Sequence, residues 1–378
     1  MMKQASRTVL KSYNQIVVKV GTSSLAYETG KLNLACIENL VRQMADLHNQ
    51  GREVILVTSG AIGAGAGKIG LKSRPRTIPE KQACAAVGQG MLLHMYEKMF
   101  SEYGITVGQV LLTREDFADR RRFLNARNTL RALLRFGVLP IINENDTVAV
   151  NEIKFGDNDN LSALVAGLMD FEVLVMLTDT DGLYTANPRL DPEARLIASV
   201  DEITPEIEQL AGAAGSRLGT GGMVSKLHAV RVATHSGVTG VIARATVDNV
   251  LRRVLTGEEI GTVFWPVATK METRKQWIAY STTVRGKIVV DEGAARALVQ
   301  NGKSLLPSGV VGVEGVFEMG NTVSIVDPEG IELARGLTNF SSEEVDRIKG
   351  CKTGQISRIL GGKRNEEIVH RNNMVLEL

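Results

Sequence analysis

Gln15-Ile16-Val17-Val18-Lys19-Val20-Gly21-Thr22-Ser23-Ser24 is a short β-branched run that ends in a polar, glycine-containing turn, which predicts a buried strand leading into a loop. From Leu34 the apolar residues Ile37, Leu40, Val41, Met44 and Leu47 recur at helical spacing, and Gly51 ends the helix they predict. The pair of elements then repeats. Val54–Val57 predicts a second strand and runs into Thr58-Ser59-Gly60, Val107–Leu112 and Val138–Ile142 predict two more, and Gln82–Phe100 and Phe123–Phe136 predict helices between them. A helix over Leu161–Met169, a strand over Val173–Leu177, a helix over Met223–Ser236 and a short strand near Val241 continue the series. Such alternation predicts an α/β fold with a mostly parallel central sheet and helices on both faces. Ligands of these sheets bind beyond the carboxyl ends of the strands. Here those ends carry Lys19-Val20-Gly21-Thr22, Thr58-Ser59-Gly60, Asn143-Glu144-Asn145-Asp146 and Thr178-Asp179, so the chemistry is expected along that edge.

The character of the chain changes after Gly261. Trp265, Pro266 and the basic stretch from Lys270 to Lys275 resemble a connector, and from Gly286 the segments are short with frequent glycine turns, predicting a small, mostly β domain. The expected division is 1–262 as a catalytic domain, 263–283 as a linker, 284–365 as the small domain and 366–378 as a tail. A chain of 378 residues is long enough for two cores. Its 44 basic and 42 acidic residues give a net charge of +2, too little for the whole surface to attract nucleic acid. Cys36, Cys84 and Cys351 are too scattered for a disulfide framework or a zinc ribbon and suit a reducing, cytoplasmic setting. The first eleven residues lack the apolar run of a signal peptide and suggest a frayed lead-in, and no apolar run is long enough to span a membrane.

Gly60-Ala-Ile-Gly63-Ala-Gly65-Ala-Gly67-Lys68 invites a phosphate-loop reading, but Ile62 and Ile69 stand where a Walker A loop needs glycine and a hydroxyl residue. Gly65-x-Gly67-x-x-Gly70 matches a dinucleotide fingerprint literally, yet Pro75 and Pro79 follow where a helix should open. What is left is a glycine-rich turn that lets a backbone approach an anion closely. Gly219-Thr220-Gly221-Gly222-Met223 is a second such turn, directly before an amphipathic helix, with Lys226 one turn in to add a point charge to a phosphoryl group. Thr178-Asp179-Thr180-Asp181-Gly182 could hold a nucleotide base or ribose, or be an Asp-Gly turn. Phe155-Gly156-Asp157-Asn158-Asp159-Asn160 could cap a helix, bind a cation or orient lysines. The run of arginines from Arg120 to Arg135 suits a solvated or subunit-facing helix side, and His228 suits a structural role.

Taken together, Lys19-Val20-Gly21-Thr22-Ser23, Thr58-Ser59-Gly60-Ala61-Ile62, Leu124-Asn125-Ala126-Arg127-Asn128-Thr129, Ile141 to Asp146, Phe155 to Asp159 and Gly219 to Met223 resemble the glutamate 5-kinase family of the amino acid kinase superfamily. Val290-Asp291-Glu292-Gly293-Ala294 and Gly302 to Gly309 resemble the PUA domain, an RNA-binding module. The likeness runs from Lys19 to His370, with Ser225 standing where the family often has threonine.

That resemblance implies an amino acid kinase fold and transfer of the ATP γ-phosphate to the side-chain carboxylate of L-glutamate, with Mg²⁺ accompanying ATP. It implies Lys19 and Lys226 on the transferring phosphate and Asp159 holding both. Ser59, Asp146 and Asn158, with Asn143 nearby, match the glutamate-binding positions. Gly21 and Gly60 would offer N–H groups to the phosphates, and Thr178, Asp179, Thr220, Gly221, Gly222 and Met223 match nucleotide-binding segments. Proline feedback inhibition, a homo-oligomer (dimer or tetramer) and an RNA contact through the PUA domain are further expectations of the family. The chemistry agrees with the composition: a glutamate carboxylate, with a reference pKa of about 4.3, is already ionised and needs no general base, so the five histidines need not take part. The competing readings are another carboxylate or nucleotide kinase of the superfamily, acting on N-acetylglutamate, aspartate, carbamate or UMP, and an RNA-binding protein acting through the small domain.

Overall fold

Strands β1 (Gln15–Val20), β2 (Glu53–Val57), β3 (Val107–Leu112), β4 (Leu139–Glu144), β5 (Val173–Thr178), β6 (Ser199–Val200), β7 (Thr239–Arg244) and β8 (Thr262–Phe264) make one sheet in the order β3-β4-β2-β1-β5-β7-β8-β6. In this computed structural model, residues 6–27, 31–71, 73–149, 158–188, 190–213, 222–267, 275, 278–279, 284–361 and 365–376 are described. The strands from β3 to β7 in that order run parallel, and β8 turns back antiparallel to β7. Chain order reverses about β1, which lies between β2 and β5, so the crevice beyond its carboxyl end is the expected ligand site of such a sheet.

The helices in chain order are α1 (Thr22–Leu25), α2 (Leu34–Asn49), α3 (Ala61–Ile69), α4 (Ile78–Ser101), α5 (Arg114–Ala118), α6 (Arg120–Arg135), α7 (Asn158–Met169), α8 (Pro205–Ala213), α9 (Met223–His235) and α10 (Val250–Leu255). Because side chains alternate along a strand, Ile16, Val18 and Val20 pack into one core with Ile37, Leu40 and Met44 of α2, while Val17 and Lys19 take the other face. There α7 packs on β1, β2, β4 and β5, and every residue from Leu161 to Met169 is buried. A lysine on that face of β1 is thereby sent toward the first turn of α7.

The chain divides into two compact units, 1–116 with 120–270 and 117–119 with 271–378. The second unit is a five-stranded sheet, β10-β9-β11-β12-β13, built from β9 (Val284–Val290), β10 (Val310–Gly315), β11 (Thr322–Val326), β12 (Glu332–Thr338) and β13 (Val369–Leu376). Its own core gathers Ile288, Leu298, Phe317, Ile325, Phe340, Ile348 and Val369.

Four expectations are corrected. The Gly60–Gly67 turn is the helix α3, because Gly65 and Gly88 let α3 and α4 approach so closely that a Cβ at Gly65 would collide with the Cys84 carbonyl and one at Gly88 with that of Ala61. The lead-in is a 3-10 helix over Arg7–Ser12, with Leu10 fully buried and the Arg7 guanidinium donating to the carbonyls of Ala198, Glu258, Ile260 and Gly261. The linker expected from 263 begins inside β8, whose Val263 and Phe264 are buried against β7 and β6. The tail of 366–378 holds β13, which pairs antiparallel with β12 through Ala334↔Leu376, Arg335↔Val375 and Gly336↔Met374.

Candidate active site

Lys19 reaches the site from the last turn of the pleat of β1, and Asp159 stands in the first turn of α7, where the positive end of the helix dipole favours a carboxylate. α9 packs against α7 and brings Lys226, also in a first turn, to the same point. Lys19 Nζ forms an ion pair with Asp159 Oδ1, and Lys226 Nζ lies 3.4 Å from Asp159 Oδ2. The Ser225 hydroxyl is 3.1 Å from the same Oδ2 and 2.9 Å from the Gly222 carbonyl. Asp159 is fully buried, and Lys19 and Lys226 are only 3% and 8% exposed. Two cations on one buried anion leave a net charge of +1 in a place where screening by water is weak. Such an arrangement is costly for stability alone, since apolar residues would fill the space without the desolvation penalty, and it suits a site that receives an anion.

Glycine is required at Gly60, the N-cap of α3, whose φ is +94°. A Cβ there would lie 3.5 Å from Thr22 Cγ2, so the turns after β1 and β2 meet. The N–H of Gly21 donates to the Leu177 carbonyl at 3.2 Å, extending the β1–β5 ladder by one bond.

On the other side of Ser59, which is 5% exposed, Asn158 Nδ2 donates to Ser59 Oγ at 3.1 Å. This leaves the Ser59 proton available as a donor, while Asn158 Oδ1 is buried and meets no donor among the described residues. Asp146 sits in the turn after β4. Burial pushes its carboxyl up to about 6 from an ordinary value of 3.8. Asn143, 2% exposed, is differently placed: its amide donates to Gln89 Oε1 at 3.2 Å and accepts from the Glu144 N–H at 2.9 Å, so both of its polar atoms are engaged within the protein.

Thr178, buried at the end of β5, donates its hydroxyl to Asp179 Oδ1 at 3.0 Å, and its carbonyl accepts from the Ala245 N–H at 2.8 Å. The turn that follows is pinned by a residue the sequence did not single out. Arg244, the last residue of β7, forks onto Asp181 at 2.6 and 2.9 Å, and the Tyr184 hydroxyl donates to the same carboxylate at 2.9 Å. The Arg244 hydrogen bonds hold Asp181 below the usual carboxylate range. Only its position at a carboxyl strand end could have drawn attention to Arg244 in the sequence.

Gly222 and Met223 lie at the start of α9, whereas Thr220 and Gly221, like residues 155–157 of the acidic cluster, fall outside the described residues. His228 is exposed, with Nδ1 2.9 Å from Asn160 Oδ1. Among the arginines of α6, Arg127 pairs with Asp170 at 3.1 Å, and Arg131 and Arg135 are exposed. Among the described residues no helix is long and apolar enough to cross a membrane.

Residues 14–244 match the model of the amino acid kinase family, and residues 286–360 match that of the PUA domain. The chain is 58% identical over 376 residues to a protein of Moorella thermoacetica named glutamate 5-kinase, covering 100% of both chains. A Thermoanaerobacter protein of the same name is 56% identical over 362 residues, covering 96% of this chain and 97% of its own length. One from Carboxydothermus hydrogenoformans is 54% identical over 371 residues, covering 98% of this chain and 99% of its own.

Proposed function

We infer the residue roles below from one premise: the chain belongs to the amino acid kinase family and, within it, to the glutamate 5-kinases. It transfers the γ-phosphate of ATP to the side-chain carboxylate of L-glutamate, giving L-glutamyl 5-phosphate and ADP, the first step of proline biosynthesis. A bond forms between a carboxylate oxygen and the γ-phosphorus while the bond from that phosphorus to the bridging oxygen of ADP breaks. No proton has to move, because the nucleophile is already an anion. The difficulty is bringing that anion up to a polyanion, and the protein's part is to offset charge and hold the atoms in line.

Lys19 and Lys226 would carry that charge, each placed on an oxygen of the transferring phosphoryl group, while Asp159 keeps the two ammonium groups from separating. The single observation behind these roles is that both lysines close on the one buried carboxylate of Asp159. The Ser225 hydroxyl adds a third hold on it. Gly60 and the α9 N-terminus from Gly222 and Met223 line the route of the phosphates, with Thr178 and Asp179 on the nucleotide side. With both oxygens of Asp159 facing lysines, that carboxylate is ill suited as a metal ligand, and Mg²⁺ would be held by the phosphates of ATP rather than by this residue. When bound, it neutralises charge on the β- and γ-phosphates.

Glutamate fits the other half of the site. Asp146 would take its ammonium, the Ser59 hydroxyl would donate to its α-carboxylate, and the buried Asn158 Oδ1 would accept a further proton from the ammonium. Asn143 serves instead to shape the strand end. Proline would act at or near this pocket. Self-association as a dimer or tetramer, a cytoplasmic location and an RNA contact by the PUA domain belong to the same proposal.

A coupled ADP-release assay with glutamate, N-acetylglutamate, aspartate and UMP, each with hydroxylamine present to trap an acyl phosphate, tests the reading. ADP and hydroxamate are expected to form together with glutamate. Release with UMP or N-acetylglutamate in its place would overturn the reading.

A further inference from the structure

Three polar side chains of α4, Gln82, Gln89 and Tyr96, recur at seven-residue spacing and so lie two helical turns apart on one stripe. The stripe faces inward: Gln89 is 7% and Tyr96 2% exposed, and Gln82 is half-buried. Buried polar groups need partners, and each of these finds its partner beside an acceptor-binding residue. Gln82 Nε2 donates to the Ala149 carbonyl at 3.3 Å. Gln89 Nε2 donates to the Glu144 carbonyl at 3.1 Å, and its Oε1 accepts from Asn143 Nδ2 at 3.2 Å. The Tyr96 hydroxyl is 2.9 Å from Thr58 Oγ1.

Glu144 and Ala149 bracket the turn that carries Asp146, and Thr58 directly precedes Ser59. One helix face therefore holds both ends of the first segment and the start of the second. The helix is itself fixed, since the close approach at Gly65 and Gly88 locks it to α3, whose N-cap is Gly60. Leucine or methionine at these positions would fill the space between helix and sheet but leave the buried Asn143 amide and Thr58 hydroxyl without these partners. What the polar stripe adds is a defined distance between two strand ends.

We propose that the Gln82–Gln89–Tyr96 stripe is the positioning element of the acceptor pocket: by fixing where Asp146 and Ser59 hold the groups on the α-carbon, it sets how far the side-chain carboxylate must reach to the Lys19–Lys226 pair and thereby the chain length of the amino dicarboxylate that meets the phosphate. This rests on the assignment of Asp146 and Ser59 to the acceptor. Glutamate and aspartate differ by one methylene, so a pocket of loosened length loses discrimination between them.

The test is Gln89→Met in the full-length protein, which keeps side-chain volume and removes both hydrogen bonds. Glutamate KM is expected to rise about tenfold, ATP KM to stay within about twofold, and the glutamate-to-aspartate ratio of kcat/KM to fall. In an Asp146→Ala background the same substitution should leave glutamate KM nearly unchanged, because the group it positions is gone. Gln82→Met, at a half-buried site with a single bond, gives the same pattern at smaller size and carries the test if Gln89→Met does not fold. Equal rises in both KM values, an unchanged selectivity ratio, or full additivity with Asp146→Ala would overturn the proposal. An Asp146→Ala protein with normal glutamate KM would instead overturn the acceptor assignment, a different result from Asp146→Ala raising KM while Gln89→Met does not.

Discussion

Asp159, fully buried in the first turn of α7, and Asp146, half-buried in the turn after β4, are carboxylates completed in opposite ways. Asp159 has a lysine on each oxygen, supplied by β1 and α9. Asp146 has no ion-pair partner among the described residues, and burial drives its carboxyl up to about 6. A protein that surrounds one carboxylate with its own cations and leaves another without one separates what must always be present from what a ligand can bring. On the phosphate side the cations belong to the enzyme. In the proposed acceptor pocket the missing cation would be the substrate's own ammonium.

The comparison breaks most visibly at Asp159. Asp159→Ala leaves two buried ammonium groups facing each other, so turnover is expected to drop by about a thousandfold or more and stability by about 3–5 kcal/mol, measured by steady-state kinetics and thermal unfolding. A variant with normal activity would mean that the lysines are held by something else. At Asp146 the effect should fall on binding: Asp146→Ala is expected to raise glutamate KM about a hundredfold with kcat reduced far less. Removing this half-buried charge, which has no ion-pair partner among the described residues, should not destabilise the ligand-free protein, in contrast with Asp159→Ala.

The pH dependence sharpens the same contrast. A carboxyl whose folded value is raised from 3.8 to about 6 holds its proton more tightly in the folded than in the unfolded state. It therefore favours the ligand-free fold below pH ~4 and loses that contribution as pH rises through about 6. Glutamate binding runs the other way, because it needs the ionised form. Log kcat/KM for glutamate is expected to fall with a limb near pH 6, and that limb should vanish in Asp146→Asn. The smallest effect is expected on α6, where Arg131→Ala and Arg135→Ala at exposed positions should alter kcat/KM by less than about twofold.

Much of this was legible in the sequence because it is locally encoded. The bounds of β1 are plain in the sequence and those of β5, α7 and α9 are legible to within a few residues, since β1 and β5 are continuous apolar runs covered on both faces and α9 keeps a helical period. The polar strand ends by themselves mark Lys19, Ser59, Asn143, Asp146 and Asp179 as candidates. What was missed depends on partners distant in the chain. The glycines of α3 resemble a loop until Gly65 meets Gly88 across a helix crossing. Val369-His370-Arg371-Asn372-Asn373-Met374-Val375-Leu376 is too polar to read as a strand, and β12 makes it one. Arg7 gains its place only from carbonyls about 190 to 250 residues away. The burial of Asp146 and the hold of Gln89 on Asn143 likewise arise from packing, which no local spacing reveals.

Lys226 is proposed to act on the phosphoryl group while it is in flight rather than on either substrate at rest. The rate of phosphoryl transfer in a single turnover, at saturating ATP and glutamate, should drop by about a hundredfold or more in Lys226→Ala with glutamate affinity almost unchanged. A normal transfer rate combined with weakened glutamate binding would contradict it.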